Sequence, residues 1–482
     1  MQIQEQVIAE IAKEVVARLR FELKQPQASA APVKKHAEAR DGVFATVDEA
    51  AKAAFEAQKK VAAMSLEDRG RMVAIVRRIC NDRCEELGRM ELAESKVGRL
   101  DHKILKLKNM RYVLGIEAMR SDAMSDSTGL CIIERAPWGV IGMMLPVTHS
   151  VPTMAANAIN ILSSGNTAVF GPHPSASGVA QYALQLFNRE IERECGVANT
   201  LTTIVEPSIE AAEQIFHHPK IALLCVTGGP VVVKAASKSG KRVIAAGPGN
   251  PPVVVDETAN LERAARSIIT GAAFDNNLLC IGEKEIFVVE SVADAFIEAM
   301  RRAGAYQLDA AAIERLTKAA FTFDGDGKGC ARAHVNKKFV GKDVEVLAAA
   351  AGVRVPADTQ LLFGEVTSED HPFVVEEQMM PFVPVVRVKD VDAGIAAAVK
   401  AEHGYRHTAI MHSQNVESVT RMARAMNTTL FIHNAASPAS LGSGGPGYLS
   451  HSIATPTGEG ITTPLTFTRE RRITIGSALR II

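Results

Sequence analysis

One cysteine stands where a thiol could meet a small electrophile. Cys280 lies in residues 274–285, between the end of a predicted helix and a predicted strand. Asn276, Asn277 and Gly282 flank it, and these residue types allow the backbone to turn sharply. A thiol on such a turn can act as a nucleophile. Because free cysteines are often buried as small hydrophobes, the position alone leaves a structural role open as well.

Polar turns follow predicted strands at three further places. Residues 146–152 join a strand-like segment to a helix, and residues 171–174 end a strand. Residues 227–230 follow an apolar strand and open a helix with a proline in its first turn, which directs backbone N–H groups toward a ligand. Open α/β sheets bind ligands at the carboxyl ends of their strands. A nucleotide pyrophosphate site and a plain tight turn are both compatible with residues 227–230.

Two glycine-rich motifs are interpreted as loops without a ligand. Residues 442–447 match G-x-G-x-x-G, but they lie near the C-terminus, contain a proline and precede no helical pattern, unlike a dinucleotide fingerprint. Residues 324–329 resemble a calcium loop, but Val335 occupies the position where the loop requires glutamate. The sequence therefore predicts no metal site.

Composition indicates a globular protein of two or three domains. The chain has 482 residues, of which 47% are hydrophobic and 22% are charged. Zero net charge, one Trp and five Tyr argue against a nucleic-acid partner. Seven irregularly spaced cysteines predict no disulfide framework, and neither a secretion signal nor a membrane span is expected. These features favour the cytoplasm.

The first 24 residues form a separate predicted unit. Apolar residues recur there at three- and four-residue steps, which predicts an amphipathic helix, and residues 25–41 form a polar, flexible linker. A short helix on a tether can dock in the groove of a partner, or it can fold back onto its own body or an oligomer mate. The apolar residues are Ile3, Val7, Ile8, Ile11, Val15, Leu19 and Leu23.

From residue 146 onward, predicted strands and helices alternate, which indicates βαβ units and parallel sheets. The turn-rich residues 247–252 interrupt this series and mark a predicted domain boundary. We therefore expect domains at 42–247 and 248–437, followed by a C-terminal segment at 438–482. Residues 129–144 are rich in β-forming residues and predict a strand pair, and the tail 465–482 predicts an edge strand.

Taken in order, these segments resemble the aldehyde dehydrogenase superfamily. Within it, they are most similar to the CoA-acylating propanal and acetaldehyde dehydrogenases of bacterial microcompartments. The resemblance covers residues 42–482 and implies an α/β fold with two Rossmann-like parallel-sheet domains plus oligomerisation strands. Its markers are residues 146–152, 164–167, 171–174, 226–230, 247–252, 274–285, 377–381, 403–413 and 457–460.

The resemblance implies a mechanism centred on Cys280. Its thiolate would attack a small aldehyde, a backbone N–H and a second donor would hold the oxyanion, and hydride transfer to NAD would leave a thioacyl-enzyme. In hydrolytic members of the superfamily, a glutamate before a Gly-Gly pair activates water, but residues 245–249 contain no acid. Because a thiol ionises far more readily than water, such a site suits coenzyme A as the acyl acceptor.

The same resemblance assigns residues to the cofactor. Glu377 matches the acid that holds the nicotinamide ribose, and NAD rather than NADP is a family expectation. His149 stands where relatives usually carry asparagine, which leaves the second oxyanion donor open. The predicted cofactor-binding residues are Pro146, Thr148, His149, His173, Pro174, Thr227, Gly228, Gly229, Gly247 and Glu377.

Partners and location follow from the same comparison. The N-terminal residues 1–24 resemble an encapsulation peptide that binds a microcompartment shell protein, which predicts a place in the microcompartment lumen. A hairpin at about 121–145 and the tail resemble oligomerisation strands, which predicts a homodimer or homotetramer. Two alternatives stay open: an acyl-phosphate reductase of the same fold, and an inactive nucleotide-binding scaffold of a shell.

Overall fold

The structure is a computed structural model that describes residues 40–323 and 333–477. The predicted N-terminal helix, most of the linker and the calcium-like segment at 324–329 lie outside the described residues. No helix within these two ranges is long and apolar enough to span a bilayer.

The described chain begins with a short strand, Val43–Phe44, and a helical layer whose starts are set by capping side chains. Thr46 Oγ1 accepts the N–H of Glu49 at 3.3 Å, and the Glu49 carboxylate accepts the N–H of Thr46 at 3.1 Å. These two hydrogen bonds form a capping box. Ser65 caps the next helix through the N–H of Asp68 at 3.1 Å. The helices are Val47–Ala63, Leu66–Asp82, Cys84–Ser95 and Leu100–Lys108.

A six-stranded parallel sheet follows this layer. Its spatial order is Val43–Phe44, Leu201–Ile204, Thr167–Gly171, Val140–Met144, Ile221–Thr227 and Arg242–Ala246. The chain builds outward from Val140–Met144 in one direction and then returns to build in the other. The strand order therefore reverses between Val140–Met144 and Ile221–Thr227, where doubly wound sheets form a ligand crevice. The helices between these strands are Ser150–Ser163, Ser177–Cys195, Ile209–His217 and Pro230–Ser237.

The chain then passes into a seven-stranded parallel sheet between Ala246 and Pro252. The three strands Glu285–Val289, Pro252–Val255 and Thr408–His412 lie side by side near its centre and are fully buried. The spatial order is Tyr306–Gln307, Leu362–Glu365, Phe382–Val388, Glu285–Val289, Pro252–Val255, Thr408–His412 and Leu430–His433. Its helices are Leu261–Ala272, Glu290–Arg302, Ala310–Ala320, Val344–Ala351, Pro372–Val375, Val391–Ala401 and Val416–Met426.

A third, antiparallel sheet corrects one prediction. Residues 129–144 do form two strands, but these strands do not pair with each other. Gly129–Pro137 pairs with Asp122–Asp126 and with the tail strand Thr468–Gly476, whereas Val140–Met144 enters the six-stranded sheet. Burial explains the difference, because all of Val140–Met144 is buried whereas most of Gly129–Pro137 is half-buried. The predicted pairing of the tail as an edge strand is confirmed.

Two short antiparallel strand pairs and a glycine-rich loop contain none of the predicted site residues. Two antiparallel pairs are formed by Phe321–Phe323 with Ala333–Val335 and by Ile453–Ala454 with Gly460–Ile461. The glycine-rich residues 442–447 follow the short 3-10 helix Ser437–Leu441 and form turns and bends. Their interpretation as a loop is confirmed.

Candidate active site

The predicted cofactor turns meet at one edge of the six-stranded sheet. Pro146 and Thr148 follow the strand Val140–Met144, and Thr227 ends the strand Ile221–Thr227. These two strands flank the point where strand order reverses. His173 and Pro174 follow the next strand along this edge. The sequence therefore located a crevice edge that the structure assembles from separate segments.

The space in front of the turn at Thr227 is open. A methyl group added to Gly229 would find no atom within 4 Å, so the surface in front of the helix Pro230–Ser237 is open. The start of this helix offers backbone N–H groups and a positive dipole end, which suit the pyrophosphate of a dinucleotide. Gly247 differs, because a methyl group there would lie 2.7 Å from Cγ of Pro456. Packing on Pro456 therefore explains this glycine.

His173 and His149 occupy different surroundings. His173 is exposed, and its Nδ1 accepts the N–H of Ser175 at 3.1 Å. His149 is buried, its ring centroid lies 5.3 Å from that of His451, and its Nδ1 has no hydrogen-bond partner within residues 40–323 and 333–477. Burial and the neighbouring lysines hold the pKa of His149 well below its usual range. The imidazole is therefore neutral and can donate from one nitrogen.

Cys280 is presented by a turn with unusual backbone conformation. Asp275, Asn276 and Asn277 have φ values of 50°, 56° and 64°, so three successive residues occupy the left-handed region. Asp and Asn tolerate this region better than other residues with a Cβ atom. Side chains hold the conformation: Lys106 Nζ lies 2.5 Å from Asp275 Oδ2, and Asn276 Nδ2 donates to Asp343 Oδ1 at 2.8 Å. The turn ends in the half-buried Cys280, at the amino end of the strand Glu285–Val289.

Gly249 brings the other site residues to Cys280. A methyl group on Gly249 would lie 2.5 Å from the carbonyl oxygen of Cys280 and 2.9 Å from Cγ of His407, so no larger residue fits. The N–H of Gly249 donates to Oε1 of Glu377 at 3.3 Å. Cys280, Glu377 and His407 therefore surround one glycine of the segment that joins the two sheets. That segment carries no carboxylate at residues 245–249.

Burial and charge set the protonation of the thiol and its neighbour. Burial and, to a smaller extent, the charge of Glu377 raise the pKa of Cys280 to about 12, against the opposing effect of Lys284. Burial also raises the pKa of Glu377 to about 7, against the effects of Lys284 and the N–H of Gly249. Without ligands, the thiol is therefore protonated at neutral pH, and Glu377 changes charge near neutrality.

His407 is a site residue that the sequence did not single out. The backbone N–H of His407 donates to Oε1 of Glu402 at 2.7 Å, and the ring nitrogen Nδ1 lies 2.8 Å from Thr408 Oγ1. Its Nε2 is buried without a partner in the part of the chain that the structure describes. Burial, with a smaller effect of Lys284, lowers the pKa of His407 to about 4, so the ring is neutral. An unpaired, neutral nitrogen beside a thiol site can exchange a proton with a substrate.

Comparison with known proteins places this geometry in a family. A model of the aldehyde dehydrogenase family matches residues 21–313. The acetylating acetaldehyde dehydrogenase EutE of Salmonella typhimurium is 44% identical over 446 residues, which cover 92% of this chain and 94% of that protein.

Two solved structures are similar along nearly the whole chain. A propionaldehyde dehydrogenase of Rhodopseudomonas palustris with bound CoA and an acylated cysteine has a TM-score of 0.88 and 41% identity, and the match covers 92% of this chain and all of that one (100%). A propionaldehyde dehydrogenase from the fucose utilisation bacterial microcompartment of Clostridium phytofermentans has a TM-score of 0.88 and 38% identity, with 92% and 100% covered. The chain belongs to the aldehyde dehydrogenase family, in its CoA-acylating branch.

Proposed function

We propose that this chain oxidises a small aldehyde, such as acetaldehyde or propanal, with NAD⁺ and coenzyme A. The products are the acyl-CoA, NADH and a proton. The observation that carries this proposal is the meeting of Cys280, Glu377 and His407 around Gly249, in a segment without the carboxylate that would activate water. The CoA-bound and cysteine-acylated state of the relative from Rhodopseudomonas palustris supports it.

The first half of the reaction belongs to Cys280. Its thiolate adds to the aldehyde carbon, and the backbone N–H of Cys280 together with the neutral ring of His149 are the proposed donors to the oxyanion. When NAD⁺ is bound, it supplies the acceptor for the hydride that leaves this carbon. Glu377 holds the nicotinamide ribose, and Gly228 and Gly229 leave room for the pyrophosphate. The hydride departs with the electron pair of the C–H bond and leaves a thioester on Cys280.

The second half transfers the acyl group to a thiol. His407 accepts the proton of the CoA thiol at its unpaired Nε2, and the resulting thiolate attacks the thioester. The bond between the acyl carbon and the sulfur of Cys280 breaks, and the cysteine leaves as a thiolate. A thiol is the suitable acceptor because it ionises near pH 8.5, about seven pKa units below water.

A test follows NADH production by purified protein that is mixed with propanal and NAD⁺. We expect one equivalent of NADH per site in a burst without CoA, and steady turnover after CoA is added. Steady turnover in water alone would contradict the acylating function. Replacement of Cys280 by Ala should abolish both phases, and full activity of that variant would remove Cys280 as the nucleophile.

We also propose a place and an assembly for the enzyme. Residues 1–24 act as an encapsulation peptide that binds a shell protein, which directs the enzyme to the lumen of a bacterial microcompartment. The antiparallel sheet supports a homodimer or homotetramer, because its outer strands Asp122–Asp126 and Thr468–Gly476 are largely exposed and include Met124 and Ile473. A small sheet with exposed apolar residues is stable when another surface covers it.

A further inference from the structure

Lys284 lies beneath the turn that presents Cys280. The side chain is fully buried. Its Nζ donates to the carbonyl oxygen of Asn277 and to that of Leu279, each at 3.0 Å, and also to Oδ1 of Asn277. All three acceptors belong to the residues that directly precede Cys280. One buried nitrogen therefore ties together the backbone on which the nucleophile stands.

The number of acceptors identifies the protonation state of this nitrogen. An ammonium group has three N–H donors, which match the three oxygens, whereas a neutral amine has two and would oppose a lone pair to one oxygen. Burial lowers the pKa of Lys284, and the charges of Glu377 and Cys280 oppose that effect. Three charge-assisted hydrogen bonds favour the charged form.

The carboxylates next to Lys284 do not form an ion pair with its ammonium group. Lys284 forms no ion pair within the two described ranges. Glu283 is instead held by the N–H and hydroxyl of Ser437, and both carboxylate oxygens of Glu285 lack a hydrogen-bond partner among the described residues. Burial raises the pKa of Glu283 to about 7 and that of Glu285 well above its usual range.

The charge of Lys284 also shifts the pKa values of three groups in the candidate active site. Lys284 acts against the rise in the pKa of Cys280 and in that of Glu377, and it adds to the fall in the pKa of His407. The cation therefore favours the negative forms of the thiol and of the ribose-binding acid, and the neutral form of the imidazole. Each of these is the form that the proposed reaction uses.

We propose that Lys284 is the positioning residue of the nucleophile, whose ammonium group fixes the turn at residues 277–279 and stabilises the thiolate of Cys280. This inference rests on the proposed role of Cys280. Because an opposite charge a few ångströms away favours the ionised form of a group in a low-dielectric site, the effect does not require Lys284 to touch the sulfur. Lys284 acts through Cys280 and its turn, because all three acceptors of its Nζ lie in that turn.

The test measures the rate at which iodoacetamide alkylates Cys280, quantified on the Cys280 peptide by mass spectrometry at about pH 8. Thiolate is the reactive form, so the rate falls tenfold for each unit by which the thiol pKa rises. We expect Lys284→Met and Lys284→Gln to react about tenfold more slowly than the wild-type protein. Lys284→Arg, which retains the charge, should stay within about threefold.

Lys241→Met is a matched control, because Lys241 is a half-buried lysine whose Nζ donates to the carbonyl of His218 at 2.6 Å. It should react at the wild-type rate. The glutamine variant separates charge from hydrogen bonding, since its amide can still donate to the turn without a charge. A wild-type rate in the glutamine or methionine variant would overturn the proposal. If the methionine variant does not fold, the glutamine variant decides.

Alkylation of Cys280 requires neither catalysis nor CoA. The alkylation rates therefore test the role of Lys284 independently of the proposed function. A wild-type protein whose Cys280 is alkylated normally but produces no NADH would count against the proposed function and would leave the alkylation comparison valid. The pH profile of kcat/KM supplies the catalytic readout. Its thiol limb should shift to higher pH in both neutral variants and not in Lys284→Arg.

Discussion

Cys280 carries a thiol whose reactivity depends on burial and on two charges of opposite sign. Burial and Glu377 favour the protonated thiol, and Lys284 favours the thiolate. A protonated resting thiol is protected against oxidation and unspecific alkylation, because the thiolate is the reactive form. The ligand-free enzyme should therefore react slowly at neutral pH and should become a better nucleophile when the pH rises.

The pH dependence of this reactivity is the first prediction. With a thiol pKa of about 12, the thiolate fraction grows tenfold with each pH unit across the neutral and mildly alkaline range. Iodoacetamide labelling of Cys280 in the free enzyme, measured between about pH 7 and about pH 9, should therefore follow a line of unit slope in a logarithmic plot. A plateau within that interval would mean that the thiol ionises far more readily than its burial implies.

His407 gives a second prediction about individual steps. Removal of its unpaired Nε2 in His407→Ala should slow transfer of the acyl group to CoA by about 100-fold or more and leave the NADH burst intact. Stopped-flow absorbance separates the burst from steady turnover. His403→Ala is the matched control, because that exposed histidine hydrogen-bonds to the carbonyl of Val375 at 2.6 Å. Loss of the burst in His407→Ala would place the residue in the first half-reaction instead.

At the level of elements, the turn before Cys280 depends on a buried ion pair with the helix Leu100–Lys108. Asp275 and Lys106 are both buried, and Asp275 also accepts the N–H of Arg99 at 2.8 Å. Lys106→Met leaves the carboxylate of Asp275 unpaired and should lower the free energy of unfolding by about 3–5 kcal/mol. Urea unfolding measures this loss, and Lys318→Met, which removes an exposed pair with Glu314, should leave the free energy of unfolding at the wild-type value.

The sign of the pH effect on this pair follows from Asp275. Lys106 and Lys103 lower the pKa of Asp275 against the effect of burial. Its contribution to stability is thus complete above the pKa of an unfolded aspartate and is lost as the pH falls through the lower folded value. Lys106→Met should therefore approach the wild-type stability at acidic pH. A constant difference between the two proteins at every pH would contradict the ion-pair explanation.

Much of the fold was predictable because its strands are continuous apolar runs separated by turn residues. The strands Glu285–Val289, Thr408–His412 and Leu430–His433 belong to the alternating series that the sequence predicts from residue 146 onward. The edge strand Tyr306–Gln307 was missed because its two residues are too few to produce a period. Its neighbour Leu362–Glu365 was missed because it ends in glycine and glutamate and is not a continuous apolar run. The strand pair predicted within residues 129–144 was wrong because β-forming residues identify a strand but not its neighbour.

The candidate site was predictable only in part for the same reason, since sequence patterns do not show which distant segments lie together. Turns after apolar strands predicted which residues lie together at one edge of the six-stranded sheet, because the carboxyl ends of parallel strands share an edge. Lys284 and His407 could not be found this way. A lysine next to a predicted strand is ordinarily expected to be exposed, so the sequence did not indicate that Lys284 is buried. His407 contacts Gly249 because segments that are distant in the sequence pack together. The orphaned nitrogen of His407 is visible when its surroundings are known.

At the level of the whole molecule, the antiparallel sheet leaves its outer strands Asp122–Asp126 and Thr468–Gly476 largely exposed among the described residues. Ile473 lies in the tail strand with half of its surface exposed (50%). We expect Ile473→Glu to weaken subunit association, because a charge in an apolar interface is costly to desolvate. Size-exclusion chromatography with light scattering should show a lower mass than for the wild-type protein. Val416→Glu, at an apolar residue with 75% exposure, should leave the mass unchanged. An unchanged mass for Ile473→Glu would exclude this strand from the interface.

The proposed targeting role of residues 1–24 is tested by deleting and by transferring this segment. Deletion of residues 1–24 should leave kcat and KM intact, because all the site residues identified above lie between residues 146 and 407. The deletion should abolish co-purification with microcompartment shells, and transfer of residues 1–24 to an unrelated protein should confer it. Unchanged co-purification of the deleted enzyme would refute the encapsulation role.

The proposed reaction requires Cys280 to carry the acyl group until a thiol removes it. Its most direct test mixes the enzyme with propanal and NAD⁺ without CoA, quenches with acid and examines the peptides by mass spectrometry. We expect a propanoyl group on the Cys280 peptide that persists in buffer and disappears within one turnover after CoA is added. An acyl group on another residue, or one that water removes as quickly as CoA does, would contradict it.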